Sequence, residues 1–117
     1  MLEDKVCLVT GGGRGLGQAI CEVLSEAGCT VVAADIHEET ARQTAEKLSR
    51  PGRGVLLDVT NDEQAVRVIS DIAAEFGRID VCVAAGHFRA HVAEALETAR
   101  RLGSSPLESR SATTELA

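Results

Sequence analysis

The run TGGGRGLG, residues 10–17, limits more than any other feature what this chain can fold into. It follows the short apolar segment KVCLVT (5–10) and precedes Leu16, Ala19, Ile20, Val23, Leu24 and Ala27, which recur at helical spacing until Gly28 closes the pattern. Gly11, Gly15 and Gly17 therefore mark a strand-to-helix turn. Such a turn aims unpaired backbone N–H groups and the positive end of the helix dipole at one spot. Glycines let the chain turn tightly there and let an anion approach with no Cβ in the way. In this context the run predicts a phosphate cradle for a dinucleotide.

The alternation continues. CTVVAAD (29–35) reads as a second buried strand and residues 38–48 as a polar helix with Ala41, Ala45 and Leu48 on one face, broken by Pro51-Gly52. GVLLDV (54–59) is a third strand. Thr60 and Glu63 stand at capping-box spacing ahead of Ala65, Val66, Ile69, Ile72, Ala73 and Phe76, and Gly77 ends that helix. IDVCVAA (79–85) is a fourth strand. Short connections between apolar strands predict an α/β fold, a partial Rossmann-type doubly wound parallel sheet of βαβαβαβ order 3-2-1-4. Right-handed crossovers place the first two helices on one face and the helix at 61–76 on the other.

Composition fits one soluble domain: 44% apolar, 26% charged, 117 residues. The expected division is a partial dinucleotide-binding domain at 1–86, an amphipathic helix at 87–102 carrying Phe88, Val92 and Leu96, and a disordered tail at 103–117. A net charge of −6 disfavours nucleic acid as a partner. No apolar run reaches bilayer length, and the acidic MLED start is unlike a leader, so no membrane partner and a cytoplasmic location are expected. Cys7, Cys21, Cys29 and Cys82 lack metal-ligand spacing and read as small buried thiols.

Asp35 ends the second strand 18 residues past Gly17, where an acid meets an adenosine ribose. Its carboxylate suits two hydroxyls and repels a 2′-phosphate, so NAD is expected over NADP. Ile36 and His37 follow where a phosphate site would more often show arginine, while Arg14 beside the loop is the one feature that suits a 2′-phosphate.

The spacing Thr-Gly-x-x-x-Gly-x-Gly, with Asp35 and the LDVT of the third strand, resembles the N-terminal half of the short-chain dehydrogenase/reductase family over residues 1–82. The resemblance implies that Gly11, Arg14, Gly15, Leu16 and Gly17 hold the pyrophosphate and adenosine ribose, with Thr10 supporting the turn. It implies Asp35 and Ile36 at the ribose, Asp58 and Val59 at the adenine, and Gly86 beside the cofactor. It also implies hydride transfer between nicotinamide and an alcohol or carbonyl. That chemistry uses a Tyr to move the substrate proton, a Lys four residues on, and a Ser. The chain has no Tyr, and its only lysines are Lys5 and Lys47. VAAG at 83–86 lacks the Asn that the family shows after this strand. His87 and His91 read as surface residues.

No catalytic or metal residue is therefore expected. A truncation or reading-frame change near residue 84 is expected from the abrupt end of the resemblance. Three functions stay open: the cofactor-binding half of an oxidoreductase, a stand-alone NAD-binding or regulatory module, and a product without function. The fourth strand is expected to expose its edge and the face of the 61–76 helix to expose apolar surface, which would favour self-association.

Overall fold

The computed structural model describes residues 3–13, 15–50, 52–58, 60–85, 97 and 112–116. Expected site residues Arg14, Val59 and Gly86 lie outside them, as does most of the helix expected over 87–102. Among the described residues, five strands and three helices follow in the order β1 (Val6–Thr10), α1 (Gly15–Glu26), β2 (Thr30–Asp35), α2 (Glu38–Glu46), β3 (Arg53–Leu56), α3 (Asp62–Phe76), β4 (Val81–Ala85) and β5 (Ala112–Leu116). The sheet is parallel throughout, in the order β3-β2-β1-β4-β5. The expected 3-2-1-4 arrangement is present, extended by one strand.

Side-chain alternation along the strands sorts the core into two layers. Leu8, Val32 and Ala34 point to one face and pack with Ala65, Ile69, Ile72 and Ala73 of α3. Cys7, Val9, Val31 and Ala33 point to the other, against Cys21 of α1 and Ala41 of α2. Strands β1 and β2 are buried on both sides, which explains their apolar sequence, whereas β3 at the edge is partly exposed. Strand β1 sits centrally, so its C-terminal end lies between those of β2 and β4.

The structure corrects four expectations. Residues 112–116, assigned to a disordered tail, form β5, with Val81 opposite Ala112 and Ala85 opposite Leu116. The polar composition of ATTEL hid a strand whose β-branched threonines suit extended backbone and whose order comes from pairing with β4. The edge of β4 is consequently covered, and the expected self-association loses that basis. Apolar exposure is also displaced. Among the described residues the exposed large apolar side chains are Leu16, Val23, Ile36 and Leu56, none of them on α3.

The third correction concerns α1. Its buried residues are Gly17, Cys21 and Ser25, four apart, with Ile20 and Leu24 only flanking the core. Small residues win the inner line because α1 starts so close to the sheet, and Val23 is turned out to 65% exposure. The fourth concerns the start of α3, where Asn61, not Thr60, is the cap: its Oδ1 accepts from the Gln64 N–H at 3.1 Å. Thr60 turns back to Asp58. Gly77 ends α3 in the left-handed region at φ 83°, as its sequence position predicts.

The four cysteines are buried and reduced. Burial pushes the Cys21 and Cys82 thiols up to about 12. Cys7 is raised by burial and by the Cys29 sulfur 3.0 Å away. Enclosed thiols are packing groups rather than nucleophiles.

Asp80 clamps β1 to β4. Its carboxylate accepts from the Val6 N–H and from Arg78 Nε, each at 2.8 Å, while its own N–H donates to the Val6 carbonyl at 2.9 Å. Burial raises its pKa, but Arg78, the Val6 amide and Lys5 together outweigh this and hold it below the usual carboxylate range. A depressed folded pKa gives stability that is complete above about pH 4, the unfolded value, and is lost as pH falls through the folded value. Denaturation followed against pH should show Asp80→Asn with a flatter acid limb than the parent. In urea titrations at neutral pH, Ile69→Ala should cost about 2–5 kcal/mol because the side chain is fully enclosed, whereas Val23→Ala should stay within about 0.5 kcal/mol.

Candidate functional site

The glycine loop leaves the C-terminal end of β1 and enters α1 at Gly15. Its course is fixed by two contacts with β2. The Gly12 N–H donates to the Ala34 carbonyl at 3.0 Å, and a Cβ at Gly12 would press on Ala33 Cβ at 3.1 Å. On the other side the Thr10 hydroxyl reaches the Val83 carbonyl of β4 at 3.5 Å. The loop thus spans the three central strands.

Gly17 supplies the tightest constraint. A Cβ there would run into the Gly11 carbonyl, so α1 folds back onto the loop only because position 17 has no side chain. Gly15 has the opposite character. Its φ of 54° favours glycine, yet, its chain neighbours aside, none of the described residues stands within 4 Å of where its Cβ would be. Among the described residues the space beside Gly15 is open, and the first turn of α1 contains no acidic side chain. The N–H groups of Gly15, Leu16 and Gly17 have no acceptor within the helix. An open cradle, unpaired donors and the helix dipole together fit a phosphate group. Leu16 is half-exposed at its rim.

Asp35 ends β2 across from the loop and is buried. Its Oδ2 accepts from the Gly13 N–H at 3.1 Å and its Oδ1 from the His37 N–H at 3.0 Å. Each carboxylate oxygen keeps a second acceptor position. Ile36 follows it, exposed on the same rim. Asp58 lies just past β3, partly exposed, and Thr60 grips its Oδ1 through both N–H (2.9 Å) and hydroxyl (2.5 Å). The Thr60 hydroxyl and N–H lower the Asp58 pKa below its ordinary value. The backbone links the two acids, since the Leu57 N–H donates to the Asp35 carbonyl at 3.0 Å. The strand ends of β1, β2 and β3 therefore bring Gly11, Gly15, Leu16, Gly17, Asp35, Ile36 and Asp58 to one edge of the sheet.

A separate groove follows the outer edge of β3 and includes Arg42, Leu56, Asp71 and Glu75 but none of these residues. Its cations are paired, Arg42 with Glu38 and Arg53 with Glu75.

A family model described as short chain dehydrogenase matches residues 5–102. The chain belongs to the short-chain dehydrogenase family. The match runs past residue 82, where the motif resemblance ended. The chain is 43% identical over 82 residues to the 3-oxoacyl-[acyl-carrier-protein] reductase FabG of Vibrio cholerae serotype O1, covering 70% of this chain and 34% of that protein. Among solved structures it resembles gox2181 (34% identity, TM-score 0.69, 72% of this chain and 34% of that one). It also resembles a 3-ketoacyl-(acyl-carrier-protein) reductase from Brucella melitensis complexed with NADH (26% identity, TM-score 0.67, 71% and 34%). The chain spans about a third of the length of the curated relatives it matches.

Sequence reasoning missed Gly13, whose amide seats the Asp35 carboxylate. The signal was the unbroken GGG at 11–13, of which the family spacing uses only the first glycine.

The two glycines should fail differently in denaturation experiments. Gly15→Ala should cost about 1–2 kcal/mol, the strain of a left-handed residue. Gly17→Ala should cost more, because it meets a backbone carbonyl that cannot turn aside.

Proposed function

We propose that this chain is the dinucleotide-binding portion of a short-chain dehydrogenase-type oxidoreductase and that its cradle takes NAD in preference to NADP. The observation that carries this is the juxtaposition of an open, donor-rich helix start at Gly15–Gly17 with a buried acid, Asp35, on the neighbouring strand. The amides of the glycine loop and of the first turn of α1 would hold the pyrophosphate. Arg14, expected beside the loop, would add its charge there. Asp35 would accept from the two adenosine-ribose hydroxyls with the acceptor positions left by Gly13 and His37. Ile36 offers an apolar surface to the adenine rim, and Asp58, steadied by Thr60, an acceptor for the adenine amino group. Val59 and Gly86 belong to the same expected site.

When bound, the nicotinamide would supply a hydride donor or acceptor for an alcohol–carbonyl pair, the chemistry the resemblance implies. The 117 residues contain no tyrosine to carry the accompanying proton. The proposal for this chain alone is accordingly binding without turnover. The Brucella melitensis reductase is complexed with NADH, which supports a nicotinamide dinucleotide as the ligand class.

Titration of the purified chain with NADH and with NADPH, read by cofactor fluorescence, tests the proposal. NADH should bind more tightly, and Asp35→Ala should weaken NADH by about tenfold or more while changing NADPH far less, as expected for losing hydrogen bonds to a charged acceptor. Absence of NADH binding, or an Asp35→Ala variant indistinguishable from the parent, would contradict it.

A further inference from the structure

Gly13 is buried between the end of β2 and the start of α2, and it has no left-handed φ that would by itself demand glycine. Its requirement is spatial. A Cβ at position 13 would stand 2.5 Å from Thr40 Oγ1, 2.9 Å from Asp35 Oδ2 and 3.1 Å from the Ala41 nitrogen. The three neighbours differ in how they can respond. Ala41 is a fully buried part of α2, and its nitrogen is bonded to the His37 carbonyl. Thr40 Oγ1 is the end of a short side chain that donates to the same carbonyl at 2.8 Å. Asp35 Oδ2 is the end of a carboxylate that can rotate about its side-chain bonds, and it is the atom that the Gly13 N–H holds.

We propose that Gly13 is a specificity-determining position, in which the absence of a side chain seats the Asp35 carboxylate toward the ribose and so lets the cradle discriminate against a 2′-phosphate. This rests on the dinucleotide reading above and deepens it. Gly13 acts through Asp35 and touches no ligand itself. Its amide and that of His37 hold the two carboxylate oxygens in one orientation, with their remaining acceptor positions available to two adjacent hydroxyls. A methyl group at 13 would stand 2.9 Å from Oδ2, closer than a carbon–oxygen contact allows. The carboxylate then turns from its seat, which weakens the hold of the two amides and moves the negative charge that opposes a phosphorylated ribose.

The test separates this contact from simple crowding. Thr40→Ala removes the shortest contact, so the Gly13→Ala/Thr40→Ala double variant retains the collision with Asp35 and the close approach to the Ala41 nitrogen. It is compared with Thr40→Ala by NADH and NADPH titration and by hydrogen exchange at the His37 amide. Thr40→Ala should keep the parental affinity ratio. The double variant should narrow the NADH-to-NADPH ratio by about tenfold, the loss of a charge-assisted hydrogen bond, with faster exchange at His37. A double variant that binds NADH with the Thr40→Ala ratio and leaves His37 protected would overturn the role of Gly13 alone. A parent chain that binds neither dinucleotide would overturn the cofactor reading, and the role of Gly13 with it.

Discussion

The contact between Gly17 and the Gly11 carbonyl sets the course of the chain on which the site depends. Because no side chain intervenes, α1 begins directly over the loop that leaves β1, with the N–H groups of its first turn left without acceptors inside the helix. The same closeness dictates what α1 buries. Only small side chains fit its inner line, Gly17, Cys21 and Ser25, so its larger residues are displaced to the flank or outward. One steric requirement therefore fixes a helix direction, a packing surface and a set of aimed donors together.

The sheet then brings the remaining groups to that spot. With β1 central, a strand lies on either side of the loop, and the C-terminal end of β2 presents Asp35 across from it. The two-sided core explains how a short chain holds this arrangement: α3 covers one face with Ile69 and Ile72, and α1 and α2 cover the other with Cys21 and Ala41. The Asp80 clamp joins the N-terminal ends of β1 and β4, at the end of the sheet opposite the candidate site.

Much of this was legible in the sequence because period and punctuation both speak clearly in an α/β chain. Apolar runs ending in glycine or aspartate marked four strands, and Gly77 and Gly28 marked helix ends. The order 3-2-1-4 followed from the doubly wound pattern, and handedness placed the helices on its two faces. Less was legible where several residues compete for one role. Thr60 and Asn61 are both competent caps, and only the turn geometry, which engages Thr60 with Asp58, decides for Asn61. The facing of α1 depended on a backbone approach that hydrophobic spacing does not encode. Strand β5 depends on pairing with β4, a long-range contact that a polar pentapeptide does not announce. Gly13 was overlooked because its importance lies in Thr40 and Asp35, distant in sequence.

The central claim is that one sheet edge, built from the glycine loop, Asp35 and Asp58, receives a nicotinamide dinucleotide. Two-dimensional amide NMR of the labelled chain during addition of NADH tests it most directly. The account predicts saturable shifts concentrated at the amides of Gly11, Gly13, Gly15, Leu16, Gly17, Ile36 and Asp58, with the β3-edge groove around Arg42 and Glu75 unaffected. Shifts centred on that groove, or none at the glycine loop, would contradict it.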